Sequence, residues 1–269
     1  MARNNKNNRA NGHNNSTIVK KSNSTFTEFM KKASQQQKNL HYGINYYVNY
    51  SNKFNYEENI QVNREQLKLV DHRNQLFNQA IEKNTNLNKI SLKINSKSPF
   101  ISGLGANHIT ETGLNLHQTY GVPYLPGQMI KGVVNNWLEK TKDHYSEIEP
   151  LLQLAGIEEN KEQYIAGSKG YLTFHDVFFS EFKLKNDIMT PHYNEYYSSG
   201  DKFTEMQNPV PIQFKVVDFE VPANLWVTWG NDVKIDDPNQ LKLLIKKAIE
   251  ETGLGAKTSL GYGQFNVEI

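Results

Sequence analysis

A chain of 269 residues with 37% apolar content has enough material to fill one large core. It contains no cysteine, which excludes disulfide frameworks, thiolate zinc sites and cysteine nucleophiles, and its net charge of +2 permits a nucleic-acid partner without requiring one. No stretch approaches 18 consecutive apolar residues and no apolar run precedes a small-residue cleavage site, so a soluble, cytoplasmic protein is expected.

Residues 1–24, MARNNKNNRANGHNNSTIVKKSNS, carry Arg3, Lys6, Arg9, Lys20 and Lys21 with no acid and hardly any large apolar group. Such a segment buries too little surface to offset its ordering entropy and reads as a flexible basic tail. Residues 25–85 are expected to form a helical extension. There TFTEFMKKASQQQ suits a short helix, and ENIQVNREQLKLVDHRNQLFNQAIEK places Leu67, Val70, Phe77, Ala80 and Ile81 at helical spacing.

From residue 86 to 269 the pattern is that of one domain. LNKISLKIN alternates as a half-buried strand does. A Gly-rich connection leads to a helix from Pro126 to about Lys140, with Met129, Ile130, Val133, Val134, Trp137 and Leu138 in one stripe. YLTFHDVFFS, 171–180, predicts a second strand, apolar on both faces and therefore interior. A polar, Tyr-containing, Pro-bounded insertion follows over about 181–211, longer than an ordinary connection. PIQFKVVDFEV and LWVTWGN predict further strand. DPNQLKLLIKKAIEETG predicts a helix with Asp236 or Asp237 near its N-cap and Gly253 at its C-cap, and QFNVEI a closing strand. The order β-α-β-(insertion)-β-α-β is the α+β, ferredoxin-like (RRM-like) pattern. One sheet face would carry both helices, leaving the other open to a ligand, as in RNA-recognition modules.

Three segments have the composition for chemistry. In PYLPGQMIKG, proline at the first helical position sacrifices no intrahelical bond, and Gly127 leaves its neighbours' amides uncovered by a side chain. The helix start is then an anion site to which Gln128 adds a donor and Lys131 a charge, unless Pro-Gly merely opens a helix. GLGAKTSLGYGQF, 253–265, sets four glycines among Lys257, Thr258, Ser259 and Tyr262, a composition that lays backbone amides open to phosphate. It is not a Walker A loop, because Ala256 precedes the lysine, Glu251 stands where the upstream glycine belongs, and the loop runs from helix to strand. GLGANHITETG, 103–113, is a weaker loop of the same kind. The insertion, with His192 and Tyr193, offers aromatic side chains for stacking on bases or an adaptable surface for another protein.

No catalytic constellation emerges. His175-Asp176 invites a phosphohydrolase metal site, but neighbouring residues of one strand point to opposite faces. His41, His108, His117 and His192 are scattered, without a metal-binding pair on a helix face; each is a candidate general base for metal-free RNA cleavage through the 2′-hydroxyl. No metal or cofactor is expected.

Together these segments resemble a known family. GVPYLPGQMIKGVV is similar to the PYIPGSSLKG signature of the RAMP superfamily of CRISPR proteins, GLGAKTSLGYGQF to its C-terminal glycine-rich loop, and LTFHDVFFS to its strand ending in an Asp motif. GLGANHITETGLNLHQTYGVPYLPG with DIMTPHYNEYY and NPVPIQFKVV is similar, within that superfamily, to subunits of type III-B (Cmr) effector complexes. The resemblance spans about residue 86 to the C-terminus. It implies a non-catalytic, structural ribonucleoprotein subunit that binds the CRISPR RNA backbone near its 3′ portion, meets other Cmr subunits and target RNA, caps the subunit filament and serves antiviral defence, with a thumb-like hairpin at about 181–211. RNA-binding residues would be Gly127, Gln128, Lys131, His192, Tyr193, Lys257, Thr258, Ser259 and Tyr262, with neither membrane nor metal involved. Gln128-Met129 departs from the family's serine pair, replacing hydroxyls by an amide. The alternative from another class is a metal-independent endoribonuclease processing CRISPR transcripts, as related RAMP proteins do with a histidine base.

Overall fold

The computed structural model describes residues 39–45, 63–105, 112–141, 170–190 and 211–269. Basic tail, short helix 25–37, His108, His192 and Tyr193 lie outside the described residues. The chain is a mixed helix and strand protein with antiparallel sheets.

Two helices of the extension are described, α1 (Leu40–Asn45) and α2 (Arg64–Lys83). Asn63 caps α2 by accepting from the Glu65 amide, and Glu65 and Lys83 sit where the helix dipole favours them. Strand β1 (Leu87–Ser96) is central in a four-stranded antiparallel sheet with β7 (Ala223–Gly230) on one side and β8 (Phe265–Glu268) on the other; β3 (Thr173–Phe174) pairs with the far side of β7, giving the order β3-β7-β1-β8. Ile90 lies opposite Val227, and Ile94 opposite both Ala223 and Val267. Ile90, Leu92, Ile94, Leu225, Val227 and Trp229 share one face and join the main core with helices α3 (Gly127–Thr141) and α4 (Pro238–Thr252). The expected core stripes are seen in the burial of Ile130, Val134, Trp137 and Leu138 on α3, and of Leu241, Leu244, Ile245, Ala248 and Ile249 on α4. Asp237 is the N-cap of α4 and Gly253, at φ 75°, its C-cap.

Three expectations change. The segment 171–180 is not one interior strand: it splits into β3, at the sheet's edge, and β4 (Val177–Phe178), which pairs with β2 (Tyr124–Leu125). The break falls at His175-Asp176, whose side chains engage Thr228 and the start of α3 and so turn the backbone out of the sheet. Second, PIQFKVVDFEV is not in the main sheet. As β6 (Ile212–Phe219) it pairs over its whole length with β5 (Phe182–Met189), forming a two-stranded ribbon whose flanks, not polar loop, begin the insertion. Cross-strand ion pairs Lys183–Glu220 and Lys185–Asp218 line this ribbon, and Phe100 bridges it to the core through Val217.

Third, the sheet face opposite α3 and α4 is not open along β3 and β7, because α2 lies on it. Trp226 Nε1 donates to Asn78 Oδ1 at 2.8 Å, and the Phe77 ring meets the His175 edge at 5.3 Å. Lys89 Nζ donates to the carbonyls of Ile81, Glu82 and Asn84 at 2.7–2.9 Å, satisfying the last turn of α2. Trp226 and Lys89 of this face are thus engaged by α2.

Candidate nucleic-acid interface

The helix start at Pro126-Gly127 is built by contact with β3. A Cβ on Gly127 would lie 2.0 Å from the Phe174 carbonyl oxygen, so the glycine lets the helix end approach the strand backbone. The Gly127 amide donates to Asp176 Oδ1 at 2.7 Å, so an internal carboxylate occupies the position an external anion would take. Lys131 Nζ donates to the Leu172 carbonyl at 3.1 Å. Gln128 is exposed on the first turn. Of the three, Gln128 is the residue this geometry leaves most accessible.

Around this helix end lies a cluster that sequence reading missed. The Arg73 guanidinium sits between the rings of Phe77 and Phe178, 4.4 and 4.3 Å from their centroids, and donates to Asn74 Oδ1. His117, Tyr120 and Tyr124 pack on Phe178 with centroids 5.2–5.5 Å away. Burial holds His41, His117 and His175 below the ordinary imidazole value. The signal in the sequence was Arg73 in register with Phe77 on one helix turn, but nothing in the pattern said that Phe178 would close the other side.

A pH dependence follows from those histidines. With folded pKa values below about 6.5, the unfolded chain takes up protons first as pH falls. The stability tied to neutral imidazoles is complete above pH 6.5 and declines below it, by up to about 1.4 kcal/mol per pH unit per histidine. Urea midpoints measured between pH 7.5 and 5.5 should fall, and His117→Gln should flatten the decline; a midpoint constant over that range would contradict the burial.

The glycine-rich loop behaves differently from its composition. Expected as a run of open amides, it is mostly bonded to itself and to residues 98–101: Leu254 N–H donates to Gly263 O, Ala256 to Ile101 O, Gly261 to Thr258 O, Gly263 to Pro99 O and Gln264 to Ser98 Oγ. Lys257, at φ 60°, is the one non-glycine with positive φ among the described residues, and it opens a single 3-10 turn, Thr258–Leu260. As the first groups of that turn, the amides of Lys257, Thr258 and Ser259 have no backbone partner among the described residues. The open stretch therefore narrows to three consecutive residues. Lys257 Nζ lies 2.7 Å from Met189 Sδ, and Tyr262 Oη donates to Asp187 Oδ2 at 2.6 Å, a bond that raises the phenol's pKa and keeps it a donor. Ile101, Phe214 and Val216 fill the space beneath, against Ala256 and Tyr262.

The structure thus brings Lys257, Thr258, Ser259 and Tyr262 to the end of the ribbon where β5 enters the insertion. Gly127, Gln128 and Lys131 stand apart, beside β3 at one edge of the sheet, while the loop precedes β8 at the other. Three strand spacings separate these edges, about 14 Å. Gly127 meets Phe174, opposite Val227 and so midway along β7, and Lys131 reaches Leu172 nearer the end where β1 begins, whereas the loop lies where β1 finishes, so one polyanion touching both has to run diagonally across the sheet.

The matched family has the same span. The RAMP superfamily model covers residues 93–266, from β1 into β8, and the chain belongs to the RAMP superfamily. Among individual proteins, it is 30% identical over 233 residues to the CRISPR system Cmr subunit Cmr6 of Pyrococcus furiosus, covering 66% of this chain and 68% of that one. It is 27% identical over 163 residues to the CRISPR system CMR subunit Cmr6 of Saccharolobus solfataricus, covering 59% and 50%. A chain in the cryo-EM structure of the type III-B Cmr-beta bound to cognate target RNA shares the fold at a TM-score of 0.55 and 20% identity, covering 97% of this chain and 77% of that one.

Proposed function

We propose that this chain is a non-catalytic, RNA-binding subunit of a type III-B (Cmr) CRISPR effector complex. It holds the CRISPR RNA backbone near its 3′ portion and caps the subunit filament in antiviral defence. Its partners are CRISPR RNA, target RNA and other Cmr subunits. The curated relatives described as Cmr6 support the complex. We read the order β3-β7-β1-β8, with α3 and α4 as crossovers, as the split, ferredoxin-like βαββαβ arrangement, the ribbon β5–β6 as the base of a thumb at about 181–211, and residues 25–85 as an extension whose helix α2 lies on the domain 86–269.

The observation that carries the RNA reading is the left-handed Lys257 with its three uncommitted amides at the mouth of the insertion. Successive amides beside a cation hold phosphate oxygens without reading base edges. Thr258, Ser259 and Tyr262 complete this contact, and His192 and Tyr193 extend it into the insertion. Gln128 and Lys131 form a second, weaker contact at the far edge of the sheet; the Gly127 amide, engaged by Asp176, positions the helix. Titrating labelled CRISPR RNA at several salt concentrations should show Lys257→Ala weakening binding and reducing the salt slope by about 1, with a smaller change for Lys131→Ala. The same RNA should be recovered uncut in EDTA. Unchanged affinity and slope in both variants would remove the assigned contacts, and a discrete cut lost on one His→Ala change would make the chain an endoribonuclease instead.

A further inference from the structure

Helix α2 buries Val70 and Ile81 but also carries a run of polar side chains toward the sheet. Its outward face exposes Leu69 and Leu76, 59% and 54% accessible, while Asp71, Asn74, Gln75 and Asn78, spaced i, i+3, i+4 and i+7, line a cavity of about 220 Å³. Asp176, Ser180 and Asn224 contribute to the facing walls, across from the helix. Asn74 and Asn78 are half-buried and Asp71 and Gln75 exposed at the rim, and half-buried polar groups call for a partner.

Of the three charges at this cavity, Arg73 and Asp176 are engaged within the molecule, while Asp71, exposed at the rim, has no ion pair or hydrogen bond among the described residues. Arg73 is held between two rings and bonded to Asn74, and Asp176 accepts from the Gly127 amide. Asn74 is fixed from both ends, since its Nδ2 donates to the Phe178 carbonyl at 2.9 Å. Asn78 is oriented by Trp226, which takes its Oδ1 and leaves Nδ2 to donate. The side chains of Gln75, Ser180 and Asn224 have no hydrogen-bond partner among the described residues. What faces the cavity is therefore a set of carboxamides and a hydroxyl, donors and acceptors together, with the carboxylate of Asp71 at the rim. A phosphate asks for free cations and a metal ion for several free carboxylates; with Arg73 held between rings and Asp71 alone unengaged among the lining carboxylates, neither fits this set. A planar, neutral edge carrying both donors and acceptors does, because carboxamides pair with base edges in a bidentate manner.

We propose that the cavity between α2 and the β4–β7 side of the sheet binds one unpaired nucleobase of a single RNA strand. This rests on the RNA-binding reading above and adds a base-selective contact to an otherwise sequence-independent grip. Gln75 and Asn224 read the edge from the two walls, and Asn78 donates from the floor. The extension before residue 86 is then part of the RNA site as well as a cover for the sheet.

The test uses the full chain with short labelled oligoribonucleotides of A, C or U alone, followed by fluorescence anisotropy. The wild type should prefer one base by at least about fivefold, the low end for a bidentate base contact. The double variant Gln75→Ala, Asn224→Ala should abolish that preference while its melting temperature and salt slope stay as in the wild type; both side chains are exposed at the rim, so folding does not depend on them. Equal wild-type affinities for the three strands, or a preference that survives in the double variant, would overturn the proposal while the RNA-binding reading stands. If no strand binds at any salt concentration, both fall together. Photo-crosslinking supplies an independent readout, in which an adduct on residues 71–78 or 222–224 supports the site and adducts confined to residues 257–262 refute it.

Discussion

Gly127→Ala is expected to lower the folding stability by about 3 kcal/mol, the upper end for overpacking, and the melting temperature by roughly 6–12 °C. The added carbon would stand 2.0 Å from the Phe174 carbonyl oxygen, 2.6 Å from its carbon and 3.0 Å from the His175 carbonyl carbon. All three are main-chain atoms of a segment tied to β7 by the Thr173–Thr228 and Phe174–Val227 pairs, so no side chain can swing aside. The helix must retreat instead. Retreat stretches the Gly127–Asp176 bond and the Lys131–Leu172 bond and opens the space beneath Ile130, which is fully buried. Chemical denaturation of the variant measures the loss directly. The outcome also separates two explanations of the Pro-Gly pair. If Gly127 were there so that a phosphate could approach the helix end, alanine would raise helix propensity by about 1 kcal/mol and reduce RNA affinity alone. A raised midpoint with weakened RNA binding would therefore return the helix start to the anion-binding role.

This glycine marks the limit of what the sequence makes legible. Periodicity located α2, α3, α4, β1, β7 and β8, because a buried stripe at 3.6 residues or an alternation at two is imposed by the element itself. Family resemblance anticipated the RAMP membership, since the glycine-rich loop and the PYLPG segment come in the right order. Partner choice between elements was not legible in the same way. In YLTFHDVFFS every apolar side chain is accounted for by an interior strand; only the bonds of His175 to Thr228 and Asp176 to Gly127, 53 and 49 residues away, show why the strand breaks there. Likewise PIQFKVVDFEV has the composition of a core strand, and its Val217 and Phe219 do reach the core, yet its hydrogen bonds go to β5. The candidate site divides along the same line. Lys257, Thr258, Ser259 and Tyr262 were found by composition and are adjacent in space because they are adjacent in sequence. The separation of Gly127 and Lys131 from them, and the covering of the sheet by α2, depend on long-range packing that no local pattern encodes.

Phe100→Ala is the second large effect, with an expected cost of about 3–5 kcal/mol. Phe100 is fully buried, with its ring 5.6 Å from that of Phe219 and 6.2 Å from that of Phe265, so it joins the ribbon to the first residue of β8. Its backbone exchanges both hydrogen bonds with Val217, at 2.7 and 2.9 Å. A Cβ on Gly255 would lie 2.6 Å from its Cε2, which puts the glycine-rich loop directly against this ring. Truncation leaves a cavity where ribbon, loop and main sheet meet, and none of the three can close it alone because each is held by its own ladder or turn. The loss should appear as a lower urea midpoint with an unchanged slope, since the surface exposed on unfolding hardly changes. Phe100→Leu, which keeps part of the volume, should lie between wild type and alanine. The functional consequence follows from the same contact. Lys257 keeps its left-handed conformation because the loop on either side is pinned, Ala256 to Ile101 and Gly263 to Pro99. Loosening Phe100 frees both flanks, so the folded fraction of Phe100→Ala should bind CRISPR RNA more weakly than wild type with its salt slope reduced as in Lys257→Ala. Full affinity in a variant destabilised by several kcal/mol would mean that the phosphate contact does not depend on the geometry of this loop, and the RNA site would then have to be sought elsewhere on the chain.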